Sequence, residues 1–445
     1  MDDLSVTSEE ADRTVLDEAA FAAGASCDVR LLLPDLMGMA RGKYLSSAQL
    51  DKPLSLAAAM YLVGHDVEPL ELPGLSSDEG FPDVLVRTEP ETLRAGWHNG
   101  EQVILGSSFE PDGSPFRLDP RHALRRVVGA WEELGREPRI ALELEFFVLE
   151  PDGDGGWRAP TIPAARPYGT GPDVDPLKVG PRLIAAMREA GICAEGMISE
   201  FYAGQFEVNL GAQSAMKACD DAFVLRLLVR EVIHEMGLKA TFMPRPLNDR
   251  GGNGLHVNMS FWRDGENVLE DLDAPAGIAP LAGQTIAGLL EHHRPMTALL
   301  APTVNSYKRL RPDLMAGYYA DWGHDNRFVT IRVPAPRGTA TRVEARQADA
   351  SGSPHLAVAT LLAAALDGVR RDLRPPVPRK GTAVDKTVAT VPATLDELEG
   401  DFSERFGDLL GAELLAAFLL LKRHEWERYT AHVTDWELDG YLPHH

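Results

Sequence analysis

The sequence predicts an α+β protein: a small N-terminal sheet domain over residues 1–115, then a larger catalytic domain over 116–445 in which strands and long helices mix. Two observations carry this expectation. From about residue 27 to 110, short β-rich runs such as Val29-Arg30-Leu31-Leu32-Leu33 and Gln102-Val103-Ile104-Leu105 alternate with Gly, Pro and Asp punctuation. Beyond Pro111-Asp112-Gly113-Ser114-Pro115, which reads as an exit turn, longer helical and strand periodicities take over. No internal repeat or low-complexity tract is visible, so solenoids and propellers are not supported.

The elements follow in order. Asp119-Pro120 opens an amphipathic helix running to about Leu134, with Pro in the first turn, apolar residues at Leu124, Val127, Val128 and Trp131, and Gly135 as a stop. Arg139 to Leu149 reads as a strand, Pro176 to Ala190 and Ala215 to Met236 as helices, and Gly254 to Trp262 as an alternating strand. The Pro- and Lys/Arg-containing stretch from Arg374 to Pro392 reads as a surface excursion with a solvated basic face.

With 445 residues, 44% of them apolar, the chain has enough apolar surface for a sizeable core. Sixty-seven acidic against 44 basic residues leave a net charge of −23, which repels nucleic acid and anionic lipid. Cys27, Cys193 and Cys219 are far apart and odd in number, so neither a disulfide framework nor a zinc knuckle is readable. The acidic start Met1-Asp2-Asp3-Leu4 shows no secretory signal. The longest apolar run, Leu414 to Leu421, is far short of the roughly 20 residues that span a bilayer. A cytoplasmic location is expected.

The chemistry concentrates in four places. Glu143 and Glu145 sit at i and i+2 of an otherwise apolar strand and so share one face, where a buried like-charge pair needs a cation. Glu200 and Glu207 flank a Gly-containing turn among aromatics. Gly251-Gly252-Asn253-Gly254 leads into a strand carrying His256, Asn258 and Ser260 on one face, and such glycines permit close backbone approach to a ligand. Arg342, Glu344 and Arg346 share another strand face, with Arg327 and Arg332 upstream. Taken singly, each has a plain alternative: an exposed strand face, a hydrogen-bonded core histidine, a surface ion pair. Taken together, five glutamates and one histidine among Arg-rich strands form an oxygen-dominated cage suited to Mg²⁺ or Mn²⁺. Cations and Arg clamps of this kind neutralise charge on a transferred phosphoryl group, so phosphoryl transfer is expected. No GxxxxGK[ST] loop occurs, so a nucleotide must be bound in another way.

At this point the chain resembles the glutamine synthetase family over nearly its whole length. The resemblance rests on Asp35-Leu36 to Arg41-Gly42-Lys43, Glu143-x-Glu145, Glu200 with Gly204-Gln205-x-Glu207, and Gly254-Leu255-His256. It continues through Asn305 to Leu310, Asn326-Arg327 to Pro334, and Arg342-x-Glu344-x-Arg346. It implies a β-grasp-like small domain before a catalytic domain built on a curved antiparallel sheet with helices, assembled into a homo-oligomeric ring, a dodecamer in the family, with active sites between subunits. It further implies that Glu145, Glu200 and Glu207 hold one metal and Glu143, His256 and Glu344 another, with Mg²⁺ or Mn²⁺ at two or more positions and ATP as co-substrate. Gly252, Arg309 and Arg346 are implied to hold the amino-acid substrate, Arg327 and Arg332 the phosphates, and Glu195, Asn258 and Ser260 the nucleotide. Asp35 and Tyr168 match positions lining the ammonium site, with Asp35 as the candidate base; Arg327 and Asp35 are the catalytic candidates.

Two departures qualify the resemblance. Ammonia-using members carry a glutamate six residues after the arginine equivalent to Arg309, where this chain has Met315. A thioether neither captures ammonium nor takes its proton, but it offers apolar area to an alkyl group. Asp313, two residues earlier, is the residue that a register shift could substitute. The second departure is Gly251, where ammonia-using members often carry Asn. The ending Val433 to Tyr441 also resembles the glutamate–amine ligase branch, and the region before Leu395 lacks the tyrosine at which regulated enzymes are adenylylated. The expectation is therefore an ATP-dependent ligase joining glutamate to a primary amine such as a polyamine, ethanolamine or another alkylamine. The alternatives are an ammonia-using glutamine synthetase and a non-catalytic ring-forming relative.

Overall fold

The computed structural model describes residues 28–444 except 99, 313, 385, 386, 393 and 395–405. Among the described residues, two sheets organise the chain. The first collects β1 (Asp28–Pro34), β2 (Ala40–Ser46), β3 (Leu54–Ala57), β4 (Asp83–Thr88), β5 (Arg94–Ala95) and β6 (Gln102–Phe109). Its order is β2-β1-β6-β4-β3, with β5 also on β6. The two β-rich runs legible in the sequence are its central pair: Val29 to Leu32 lie parallel to Gln102 to Leu105. Their apolar character follows, because a central strand buries both faces.

The second sheet is larger and mostly antiparallel. Its strands are β7 (Glu137–Pro151), β8 (Trp157–Arg158), β9 (Ala194–Ser199), β10 (Gln205–Leu210), β11 (Gln213–Ser214), β12 (Lys239–Thr241), β13 (Leu255–Arg263), β14 (Glu266–Asn267), β15 (Trp322–His324), β16 (Ile331–Val333) and β17 (Val343–Ala345). The path runs β15-β16-β17-β13-β7-β10-β9, with β8, β11 and β12 on β7 and β14 on β13. One face is apolar: Leu142, Leu144, Phe146, Val208, Val257, Met259, Phe261 and Val343 are all buried. Helices Pro120–Glu132, Ala215–Glu235 and Pro354–Arg370 cover the core on that side. Trp131 of the first stacks on Phe261 with ring centroids 4.1 Å apart, and its indole N–H donates to the Leu362 carbonyl of the third at 3.0 Å. Burying these side chains is the main stabilising contribution, about 1.5–3 kcal/mol for each large apolar residue.

The first helix starts where its sequence signature puts it. Asp119 is the N-cap, accepting from the Arg121 N–H, and Pro120 occupies the first turn, where a missing N–H costs nothing. The helix expected from Pro176 begins instead at Val179. The Asp175 carboxylate accepts from the N–H groups of Val179 and Gly180, and Lys178 before them takes a left-handed φ of 57°. The described residues from Arg374 to Pro392 contain no regular strand or helix, and the basic face expected to be solvated is not wholly so. Arg379 pairs with Asp321 at 2.6 Å and donates to the Phe328 carbonyl, so this segment straps the β15–β16 turn. Among the described residues, no helix is long and apolar enough to cross a membrane.

A buried charge cluster ties three helices and β6 together behind the sheet. Arg121, 1% exposed, forks onto both oxygens of Asp220, to which His355 also donates or binds at 2.8 Å; a third guanidinium bond reaches Ser107 of β6. Burial pushes the Asp220 carboxyl up, but Arg121 and His355 hold it below the usual range. Replacing Asp220 by Ala removes the forked partner of a buried guanidinium, leaving it Glu89 at 3.0 Å, and is expected to destabilise the protein by about 1.5–3 kcal/mol. Denaturant unfolding followed by circular dichroism measures this; a loss below about 1 kcal/mol would contradict a structural role.

Candidate functional site

The polar face of the large sheet carries the chemistry, and strand register assembles it. Glu207 on β10 lies opposite Glu145 on β7. Glu143, two residues back, lies opposite His256 on β13. Asn258 lies opposite Glu344 on β17, and Glu344 opposite Arg332 on β16. Because side chains alternate along a strand, every second residue of five neighbouring strands is brought onto one face. The i, i+2 spacing seen in the sequence is thus what gathers these groups.

His256 is the hub. Its Nδ1 lies 2.9 Å from Glu143 and 3.9 Å from Glu207, and its Nε2 lies 3.9 Å from Glu145. Two sets of donor atoms each converge to within 4.8 Å: Glu143, His256 and Glu344, and Glu145, Glu207 and His256. The first is the trio expected for one metal. In the second, His256 takes the place expected for Glu200, which lies at the β9–β10 turn with its N–H donating to the Gln205 carbonyl. Glu200 stays electrostatically coupled to the cage: burial and then Glu145 push its carboxyl up, while His256 and Arg327 pull it down.

The cage is short of positive charge. Burial, together with Glu143 and Glu145, pushes the Glu207 carboxyl up to about 7 despite His256. Burial also works against an ionised Glu143, but His256, Asn258 and Arg346 overcome it and hold that carboxyl at about 2. Neighbouring carboxylates pushed this far apart are the signature of an anionic site that a cation would complete. Hard oxygen donors with one imidazole fit a divalent ion such as Mg²⁺ or Mn²⁺.

Arginines ring the cage. Arg346 pairs with Glu344 while its Nε is buried without a partner, and Arg332 bridges Glu344 at 2.7 Å and Asp325. Arg309 is buried and donates to the Gln347 and Arg346 carbonyls. Arg327 is exposed in the loop between β15 and β16. The glycines at 252 and 254 are what let Arg309 approach. A Cβ on Gly254 would lie 2.8 Å from the Arg309 guanidinium, and one on Gly252 would lie 2.3 Å from the Pro244 carbonyl and 2.9 Å from Arg309 Cγ. The Gly254 N–H also donates to Glu145 at 2.7 Å, tying this turn to the cage.

Other expected residues sit further out. Asp35 is buried in the β1–β2 turn, where the Met37 and Met39 N–H groups and Arg41 satisfy both oxygens, so within one protomer it belongs to the first sheet and not to the cage. Burial pushes its carboxyl up against Arg41. Tyr168 takes a φ of 58°, bonds through its N–H to the Ser199 carbonyl and sets its ring 6.4 Å from Phe201, next to Glu200. Glu195 is exposed at a register shift of edge strand β9. Ser260 is buried and accepts from the Trp262 indole at 3.0 Å. Met315 and Leu314 are exposed on the irregular loop after Arg309; Asp313 and Leu395 lie outside the described residues.

Two supporting residues carry no role in the sequence reading: Asn209 is not singled out there, and Arg342 is named only as part of an Arg-rich strand face. Asn209 donates to Glu207 at 2.8 Å, and Arg342 donates to the Asn258 side-chain oxygen at 2.9 Å, which turns that amide so that its NH₂ faces Glu143 at 3.0 Å. The signal for Asn209 was present, since Glu207-x-Asn209 repeats the alternation of Glu143-x-Glu145. Arg342 was visible only as one of several arginines.

Comparison with known proteins places this arrangement. The family model described as glutamine synthetase, catalytic domain, matches residues 117–441. A glutamine synthetase of Methanococcus maripaludis is 34% identical over 395 residues, covering 82% of this chain and 86% of the relative. One from Pyrococcus abyssi is 33% identical over 440 residues, covering 93% and 96%. A solved GmaS/ADP complex superposes with a TM-score of 0.83 at 28% identity, covering 96% of this chain and 99% of that one.

The raised Glu207 carboxyl gives the site a pH dependence of determined sign. Its proton competes with a cation, so Mn²⁺ affinity measured by calorimetry is expected to fall about tenfold for each pH unit below about 7 and to level off above it. The metal-free protein is expected to do the opposite, losing stability as pH rises through about 7, because below that the folded state binds the extra proton. Glu207→Gln should flatten both profiles; an unchanged slope in the variant would remove Glu207 as their source.

Proposed function

This chain belongs to the glutamine synthetase family, and we propose that within it the chain joins glutamate to a primary amine, making a γ-glutamyl amide through γ-glutamyl phosphate. It is an ATP-dependent carbon–nitrogen ligase. The observation that carries the choice of nucleophile is Met315. The loop following Arg309 presents Leu314 and Met315, two exposed apolar side chains, where a carboxylate would capture ammonium. Similarity to GmaS, a gamma-glutamylmethylamide synthetase, supports an alkylamine in particular.

The residues divide the work as follows. Glu145, Glu207, Glu200 and His256 on one side, and Glu143, His256 and Glu344 on the other, would hold two or more Mg²⁺ or Mn²⁺ ions, which supply charge neutralisation for the phosphates. Arg327 and Arg332 reach phosphate oxygens; Glu195, Asn258 and Ser260 contact the rest of ATP. Arg309, Arg346 and Gly252 hold glutamate, and the free buried Nε of Arg346 is a donor awaiting an anion. The γ-carboxylate takes the terminal phosphoryl group and ADP leaves. The amine nitrogen then attacks the acyl carbon, phosphate departs, and the nitrogen's proton passes to a base. That base is Asp35 from the β1–β2 turn of a neighbouring protomer in a homo-oligomeric ring, with Tyr168 beside it.

A second reading, ammonia as the nucleophile, draws on the Methanococcus and Pyrococcus relatives, both named glutamine synthetase. A panel of ammonium, ethylamine, ethanolamine, putrescine, spermidine and aniline, each with Mg²⁺, ATP and glutamate, separates the two by phosphate release and product mass. A γ-glutamyl adduct of one amine class with little glutamine is the expected outcome; glutamine as the dominant product would sink the amine reading. Met315→Glu is expected to raise the ratio of ammonium- to amine-dependent turnover by roughly tenfold.

A further inference from the structure

Gly251 is a glycine that its own backbone does not require. It has no left-handed φ, so any residue could adopt the conformation. What a side chain there would have to displace is Tyr202: a Cβ at 251 would stand 2.5 Å from Tyr202 Cε2, 3.3 Å from Cδ2 and 3.4 Å from Cζ. The tyrosine ring therefore fills the side-chain space of residue 251.

The ring is held there from several directions. Tyr202 packs against Phe147, with ring centroids 6.5 Å apart, and its carbonyl accepts from the Gln205 N–H. The Gln205 side chain in turn donates to the Gly252 carbonyl at 3.0 Å, joining the 200–205 turn to the glycine turn. Even so, 36% of Tyr202 remains exposed. An aromatic ring braced on one side, open on the other, two residues from Glu200 in sequence and packed on a glycine turn whose next residue, Gly252, meets Arg309, is placed as a ligand contact.

We propose that Tyr202 is a specificity-determining residue at the amino-acid end of the site, its ring receiving the α-ammonium group of the substrate in place of a side chain at 251. This rests on the reading that the acyl substrate is an α-amino dicarboxylate held by Arg309 and Arg346. Two guanidinium groups answer the carboxylates and leave the ammonium to be recognised separately. An aromatic face attracts a cation through its quadrupole. Gly251 and Tyr202 then form a coupled pair, in which the small residue makes room for the large one.

The test measures binding without an amine. L-glutamate and glutarate, which lacks the α-ammonium, are titrated calorimetrically into the full-length protein with Mg²⁺ and ADP. Tyr202→Ala is expected to weaken glutamate about tenfold while leaving glutarate within about twofold, and Tyr202→Phe to keep the preference. Gly251→Asn should weaken glutamate by displacing the ring, and Tyr202→Ala/Gly251→Asn should bind at least about threefold better than Gly251→Asn alone. In turnover, Tyr202→Ala should raise KM for glutamate with kcat nearly kept. Equal loss of glutamate and glutarate, loss of the preference in Tyr202→Phe, or strictly additive effects in the double variant would overturn the assignment. Should glutamine prove the main product, the amine reading falls while this coupling stands; should wild type bind neither acid, the α-amino dicarboxylate reading falls.

Discussion

Electrostatic crowding on one sheet face is the constraint to which the rest of this structure answers. Glu143, Glu145, Glu207 and Glu344 converge around His256 from three adjacent strands and the strand beyond them. Bringing carboxylates this close without compensation is strongly unfavourable, since the interior weakens the screening that water provides. The compensation is built in asymmetrically. Arg332 and Arg346 both pair with Glu344, and His256 and Asn258 both serve Glu143, so that side of the cage is already satisfied. Glu145 and Glu207 receive a backbone N–H from Gly254 and an amide from Asn209, with the shared His256 no nearer than 3.9 Å to either. The unsatisfied side is where a cation gains most.

Such a face can be maintained only if the sheet cannot shift. A one-residue slip would turn every one of these groups into the apolar core and expose Leu142, Leu144 and Val257. The helices behind the sheet prevent it by burying the opposite face almost completely, and the Arg121–Asp220–His355 cluster fixes those helices to one another. Stability and site geometry are thus the same fact seen from two sides: the alternation that supplies the core also aims the ligands.

The legibility of the site in the sequence follows from this. Residues placed by strand periodicity could be read directly, because i, i+2 spacing has only one geometric meaning in a strand; Glu143, Glu145, His256, Asn258 and Ser260 are of this kind. The helix capped by Asp119 was legible for a similarly local reason, while the one expected from Pro176 moved because Asp175 caps through its side chain from outside the periodic segment. Cross-strand partnership was not legible. That His256 faces Glu143, and that Arg379 straps Asp321 rather than meeting solvent, depends on pairings between segments over 50 residues apart in sequence. The resemblance to a family supplied what periodicity could not, namely which separated motifs belong to one site.

Loops and strands therefore carry different information. The strand residues set what chemistry is possible, since a cage of this charge and shape suits phosphates and hard cations whatever the final nucleophile. The turns set which molecules reach it. Met315, Gly251 and Tyr202 all lie in turns, and each can change without altering strand register. Gly251 shows the logic in its smallest form. Its neighbour Gly252 is a glycine because the Pro244 carbonyl and Arg309 leave no room, a requirement of the anion-binding machinery itself. At Gly251 the nearest atoms a Cβ would meet all belong to the Tyr202 ring, so the position answers to a side chain that the cage does not need. Adjacent glycines, alike in sequence, are thus held by different physical demands, one by the shared chemistry of the site and one by what this particular chain admits to it.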